Sequence, residues 1–263
     1  MEINQLSFAY GKQAVLNAVS ARIEKGRVTA ILGPNGCGKT TLFQLMTKNL
    51  RPAGGSIRLN GKDIRDIPVK EFARQVAIVH QDNVAPPDVP VKVLVAYGRT
   101  PYTTFYKQRS REDQEMIEWA MEMTQVYAYR DQPISSLSGG QRQRVWLAMA
   151  LAQKTGFLLL DEPTTYLDIR YQIEMLELIR RLNRELGMTI VMVVHDINQA
   201  AHYSDEIIGM QGGKIIAAGN TAKVINSDTL YEIFQVRLDI LETEQSKFVL
   251  TVKNGEREGV EKI

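Results

Sequence analysis

The chain has 263 residues, 44% hydrophobic and 24% charged, an ordinary globular composition that excludes disorder as the default. Its 32 Lys and Arg nearly cancel 30 Asp and Glu, so a net charge of +2 gives no electrostatic footprint for nucleic acid or an anionic membrane surface. The single cysteine, Cys37, excludes an internal disulfide, and no Cys/His grouping has zinc spacing.

The opening "MEINQLSFAY" lacks a basic region followed by an apolar stretch, so no secretory signal is expected. Residues 1–27 and 55–79 hold alternating strands separated by turn signals such as "LNGKD" with Asn60-Gly61, which predicts a small antiparallel sheet. Four apolar runs, at 28–32, 76–79, 157–160 and 190–194, are continuous rather than alternating, as strands of a parallel sheet covered on both faces are. Residues 83–93, "NVAPPDVPVKV", are broken by proline and read as a linker. The stretch 91–127 is helix-like: Ser110 and Asp113 have capping-box spacing, and Met116, Met121 and Met123 read as core fillers. Residues 171–187 predict a helix with Ile173, Leu176, Ile179, Leu182 and Leu186 on one face and Gly187 as its stop. After residue 240 only "KFVLTV" and a charged tail remain, too little for a further regulatory domain. Strands alternating with helices predict a three-layer α/β core. The longest apolar runs, such as "TIVMVV", fall far below the ~18 residues of a membrane helix, so any membrane role is expected to come through a partner.

"GPNGCGKT" follows the apolar "VTAIL" and precedes the helical "TTLFQLMTKNL", the strand–loop–helix context of a phosphate loop. Gly33 and Gly38 would let backbone wrap a phosphate, Lys39 would neutralise β and γ oxygens, and the Thr40 hydroxyl would join a Mg²⁺ shell; ATP is the expected ligand. "FLLLDE" ends a strand in two adjacent carboxylates that point in different directions: Asp161 for the metal and Glu162 to take a proton from an attacking water. His195 and Gln81 end two further apolar strands; His195 is expected at the γ-phosphate, and Gln81 at the water or the metal. Tyr10 is placed to stack on adenine. His80 and His202 carry no such argument and read as structural. A second Gly-rich helix opening, Ser138, Gly139 and Gly140 in "SSLSGGQRQRVWLAMAL", has no lysine, which raises the question of whose phosphate it serves.

With these residues assembled, the chain resembles the nucleotide-binding subunit of ATP-binding-cassette (ABC) transporters over almost its full length. "GPNGCGKTT" (Gly33, Pro34, Asn35, Gly36, Cys37, Gly38, Lys39, Thr40, Thr41) looks like the Walker A loop, Gln81 like the Q-loop glutamine and "LSGGQ" like the signature. "FLLLDE" looks like Walker B, "TTYLD" with Asp168 like the D-loop, His195 like the switch histidine, and Tyr10 falls where the adenine-stacking aromatic does. The resemblance implies a P-loop NTPase three-layer core with an antiparallel β-subdomain, a helical insert over about 88–150 within residues 1–240, and a short strand and tail over 241–263. It implies a head-to-tail dimer in which Ser138, Gly139, Gly140 and Gln141 of one copy meet ATP held by the Lys39 loop of the other, with Asp168 also at the nucleotide. Mg²⁺ would be held by Thr40, Gln81 and Asp161.

Finer features, "VLVAYGRTPY" and "VVHDINQAAHYSDEIIGMQGGKIIAAG" among them, are similar to ATPases of importers for iron(III)-siderophores, haem and vitamin B12. That subgroup implies permease partners whose coupling helix is received by residues 82–106, including Tyr97, Arg99 and Tyr102. It also implies an extracytoplasmic substrate-binding protein and a peripheral location at the cytoplasmic face of the membrane, with no nucleic-acid partner. His80 stands where the family often has proline, and Tyr166 is bulkier than the small residue many cassettes carry. The alternative is a soluble ABC ATPase acting on a macromolecular partner; translation relatives usually carry two cassettes and repair relatives a long coiled-coil insert, and neither shows in the sequence.

Overall fold

A computed structural model describes residues 1–103, 110–243 and 247–250. The chain begins β1 (Glu2–Tyr10), β2 (Gln13–Arg22), β3 (Val28–Leu32), α1 (Lys39–Met46), β4 (Gly54–Leu59), β5 (Lys62–Asp63), α2 (Val69–Phe72) and β6 (Val76–Val79). Three helices follow: α3 (Val91–Ala96), α4 (Arg111–Met123) and α5 (Gly139–Ala152). Then come β7 (Phe157–Asp161), α6 (Ile169–Leu186), β8 (Thr189–Val193), α7 (Ile197–Tyr203), β9 (Glu206–Gln211) and β10 (Lys214–Asn220). The described chain closes with α8 (Thr221–Val224), α9 (Ser227–Phe234), β11 (Asp239–Glu242) and β12 (Lys247–Leu250).

Six strands form a sheet in the order β10-β9-β3-β8-β7-β6. All are parallel except β10, which closes one edge antiparallel to β9. β3, β7 and β8 are buried at every position, which is why their sequences run apolar without alternation. Successive side chains divide between two cores. Ala30, Leu158, Leu160, Ile190 and Met192 join α4, α5 and α6 on one side. Ile31, Leu159, Val191 and Val193 turn onto α1 and a second sheet, β2-β1-β4-β5. Asn60 and Gly61, at φ +52° and +83°, supply the two left-handed positions of the tight turn from β4 to β5. The three layers and the antiparallel sheet match the fold read from the sequence.

Three expectations need correction. The helix-like stretch 91–127 is interrupted: a 3-10 segment, Tyr97–Tyr102, follows α3 and contains Pro101, which cannot donate to a continuing helix. Residues 104–106 of the stretch expected to face a permease lie outside the described residues. Arg99 is not a surface contact. It is 3% exposed, pairs with Asp113 at 2.7 Å, donates to the Ala152 carbonyl at 2.9 Å and lies over the Tyr102 ring. Tyr97, by contrast, is half exposed. On α6, Leu176, Ile179 and Leu182 are buried, but Ile173 and Leu186 are exposed, and Met175, Leu178 and Asn183 fill the buried stripe instead. Ile173 lines an open groove of about 890 Å³ between α5 and α6, where no neighbouring layer covers it.

The capping box is real: Ser110 Oγ accepts from the Asp113 N–H at 3.1 Å, and Asp113 accepts from the Ser110 N–H at 3.0 Å. Burial raises the Asp113 pKa, but hydrogen bonds from Arg99 and Ser110 overcome this and hold it below the usual value. Arg99→Ala would strand that carboxylate, and we expect it to cost about 3–5 kcal/mol in urea unfolding; an unchanged midpoint would contradict the pairing. Met121 is buried and Met123 packs on the same core, while Met116 is half-buried. Gly187, at φ +63°, ends α6. The β11–β12 hairpin is fastened to α7, where the Asn198 side chain both accepts from and donates to the Val249 backbone, at 2.8 and 3.0 Å. The remainder of "KFVLTV" and the charged tail lie outside the described residues. Among the described residues no helix is long and apolar enough to cross a membrane.

Candidate active site

Four neighbouring strands, β3, β8, β7 and β6, end side by side: Ile31 and Asp161 both pair with Val193, and Val79 pairs with Leu160. The carboxyl edge of such a sheet is where ligands of open α/β folds bind. The phosphate loop leaves β3 there and enters α1. A Cβ at Gly33 would lie 2.3 Å from the Met210 carbonyl oxygen, and one at Gly38, at φ +110°, 2.7 Å from Leu16, so neither position tolerates a side chain. Pro34, Asn35 and Gly36 form the accessible rim, whereas Cys37 is buried and burial pushes its thiol up, so its side chain is a packed filler. Lys39 opens α1, is 5% exposed, and donates to the carbonyls of Gly33 (2.8 Å) and Pro34 (3.0 Å). Its hydrogen-bond partners among the described residues are carbonyls, not carboxylates, and the first turn of α1 has no acid. A buried cation at a helix N-terminus without a counter-ion is built for an anion. Thr40 is exposed beside it and Thr41 buried.

The chain turns sharply after β7. Glu162 sits at φ +49°, a left-handed conformation costing about 1–3 kcal/mol for a residue other than glycine. The turn brings its carboxylate among three groups. Oε2 accepts from Gln81 Nε2 and from Thr165 Oγ1, both at 2.9 Å, and Oε1 meets His195 Nε2. The structure thus gathers Gln81, Glu162 and His195 from three strand ends. Thr165 was not among the candidates, because nothing in "DEPTTYLD" distinguishes its hydroxyl from that of Thr164.

Asp161 is buried, and its Oδ1 has no hydrogen-bond partner among the described residues. Burial, reinforced by Glu162 and Asp82 and opposed by His195, pushes its carboxyl up to about 6. A buried carboxylate oxygen without a donor suits a divalent cation, a hard ion that prefers oxygen ligands. Because the folded pKa is raised, the folded chain holds a proton between about pH 4 and 6 that the unfolded chain has released. This group therefore makes the nucleotide-free protein lose stability as pH rises through that window, by about 3 kcal/mol in all. Asp161→Asn should remove that part of the slope in denaturant midpoints measured between pH 4 and 7; an unaltered slope would contradict it.

The remaining candidates lie elsewhere. Ser138 caps α5 in a reciprocal box with Gln141: Ser138 Oγ accepts from the Gln141 N–H at 3.3 Å, and Gln141 Oε1 accepts from the Ser138 N–H at 2.9 Å. Gly139 and Gly140 form the first turn, and a Cβ at Gly140 would strike the Tyr171 ring at 2.8 Å. Among the described residues no hydrogen bond joins this helix start to the phosphate loop. Asp168 caps α6 by accepting from the Tyr171 N–H at 3.1 Å. Tyr10 is 51% exposed at the end of β1, edge-on to Phe8, with its hydroxyl 3.4 Å from Gln44. His80 packs edge-on against Phe43, with burial lowering its pKa, and His202 packs against Phe248.

The sequence profile of the ABC transporter family matches residues 16–165. The iron(3+)-hydroxamate import ATP-binding protein FhuC of Bacillus subtilis (strain 168) is 44% identical over 241 residues, 92% of this chain and 90% of that one. The ferric enterobactin transport ATP-binding protein FepC of Escherichia coli (strain K12) is 41% identical over 251 residues, 95% and 93% of the two chains. Among solved structures, the dimeric bacterial ABC transporter cassette MJ0796 superposes with a TM-score of 0.71 at 25% identity, over 84% of this chain and 98% of that one. A phosphate loop, a gathered carboxylate and a capped glycine helix on one such fold have a single common account: the chain belongs to the ABC transporter family, as an ATP-binding cassette that hydrolyses ATP.

Proposed function

We propose that this chain powers import of an iron(III)-siderophore through a membrane permease, at the cytoplasmic face of the membrane. The observation that carries the substrate class is its 44% and 41% identity, over nine-tenths of the chain, to cassettes named for ferric hydroxamate import and ferric enterobactin transport. Haem and cobalamin are the related chelates to be tested beside it. The permease would be reached through the half-exposed Tyr97 and its neighbours, and cargo would arrive on an extracytoplasmic binding protein.

In this reading Lys39, Gly33, Gly38 and the rim between them hold the ATP phosphates, and Tyr10 stacks on the base. Thr40, Asp161 and Gln81 would hold Mg²⁺, which on binding supplies charge neutralisation of the β and γ oxygens. Glu162 accepts the proton of the attacking water and His195 contacts the γ-phosphate. Ser138, Gly139, Gly140, Gln141 and Asp168 act on the nucleotide of a second copy, paired head to tail. The separation of the two phosphate devices within one chain supports that pairing, because each is incomplete without the other.

Mixing two inactive variants tests the pairing. A dimer of Lys39→Met and Ser138→Ala contains one doubly defective site and one intact site if the signature acts across the interface. ATPase activity should therefore return on mixing; continued inactivity would mean that both motifs serve the same chain's ATP. Purification from native membranes in mild detergent tests the transport reading. Recovery of a polytopic permease is the expected result, and recovery only with a soluble partner would move the chain to a macromolecular ATPase.

A further inference from the structure

Outside the phosphate-facing residues, three side chains form one continuous hydrogen-bonded path. Thr164 Oγ1 donates to Gln199 Oε1 at 3.1 Å, Gln199 Nε2 donates to Gln172 Oε1 at 2.9 Å, and Gln172 Nε2 donates to the Leu167 carbonyl at 2.9 Å. All donors run in one direction, so each amide is satisfied as both donor and acceptor, and such chains strengthen one another. The path begins two residues after Glu162, crosses to α7, returns through α6, and ends one residue before Asp168. At α7 it meets a second anchor: the Gln199 N–H donates at 2.8 Å to Asp196, the cap that directly follows His195.

We propose that Gln172 and Gln199 are positioning residues for ATP hydrolysis. They fasten the turn that carries Glu162, the helix that follows His195 and the loop before α6 into one unit. The turn needs such a fastening. It holds two residues other than glycine in left-handed conformations, Glu162 at φ +49° and Tyr166 at +64°. Among the described residues its own backbone offers two bonds, Thr165 N–H to the Glu162 carbonyl at 3.2 Å and Leu167 N–H to the Thr164 carbonyl at 3.3 Å. Strained conformations persist where the surroundings over-determine them, and here the surroundings are this path together with the Thr165–Glu162 bond. Neither glutamine side chain bonds a side chain assigned to ATP, and Gln172 meets Asp168 only through its backbone N–H, at 2.9 Å, a bond that a side-chain substitution leaves in place, so their effect falls on the placement of Glu162 and His195 and not on nucleotide binding.

The inference rests on the ATP-hydrolysis reading of Glu162 and His195, and the test separates the two. Steady-state ATPase would be measured on the cassette assembled with its permease, for Gln172→Leu, Gln199→Leu, the double variant, Gln172→Glu and Glu162→Gln. Each glutamine-to-leucine change should lower kcat about tenfold with the KM for ATP little changed, since small misplacements of reacting groups are costly. The double variant should be no slower than the slower single, because one broken link already opens the path. Gln172→Glu keeps shape and the acceptor for Gln199 but loses the donor to Leu167, so it should reproduce the loss without any change in packing. Wild-type kcat in the glutamine variants beside an inactive Glu162→Gln would overturn the path alone, as would losses that multiply in the double. Wild-type kcat in Glu162→Gln would overturn the site reading beneath it.

Discussion

Glu162→Gln is expected to lower ATP turnover by about 10²–10⁴ while leaving ATP bound, the usual loss when a general base is removed. The carboxylate is held by Gln81, Thr165 and His195, and an amide of the same shape fits that nest. What the amide cannot do is take a proton from water. Binding energy collected by Lys39 and the loop is untouched, so the ATP-bound, closed pair should accumulate instead of reopening. Light scattering after size exclusion should show a dimer of the variant with saturating ATP, and single-turnover assays should show the slow chemistry. Undiminished turnover would remove Glu162 from the reaction, and a monomer under saturating ATP would remove the sandwich.

Lys39→Met should separate binding from folding, weakening the first and sparing the second. Lys39 is 5% exposed, and its ammonium donates to two carbonyls of the loop that precedes it. Its loss should weaken ATP binding about 10²–10³-fold, the worth of one or two charge-assisted bonds. The same change removes a buried charge without a counter-ion, so the nucleotide-free protein should not lose stability. Calorimetric titration with ATP checks the first effect and chemical denaturation the second. Unchanged affinity would show that the phosphates lie elsewhere, and marked destabilisation would show that the lysine is a strut.

How much the sequence disclosed follows the range of the interactions. β3, β6, β7 and β8 were legible because burial on both faces leaves an unbroken apolar run, and the Ser110–Asp113 box because its partners lie three residues apart. The phosphate loop was legible because glycine is required at Gly33 and Gly38 by contacts only glycine permits. Arg99 was misplaced on the surface because its counter-ion is 14 residues away, across a proline-broken segment. The facing of Ile173 and Leu186 went wrong because periodicity defines a stripe but not where its covering layer ends. Thr165, Gln172 and Gln199 were missed entirely. Gln172 and Gln199 meet across 27 residues, and a glutamine carries no local signal of such a bond. Gln141 illustrates a further limit. Its part in "LSGGQ" points to nucleotide, yet its side chain closes a helix cap with Ser138, so one motif residue can serve the local backbone.

ATP hydrolysis at this site is expected to drive iron-chelate import. The most direct measurement is uptake of radioactive iron, supplied as ferric hydroxamate and ferric catecholate siderophores in turn, by cells of the source organism from which this chain has been deleted. Restoration by the wild-type chain but not by Glu162→Gln, for at least one of these chelates, is the predicted result. Uptake of both that persists without the chain, or that Glu162→Gln restores in full, would contradict it.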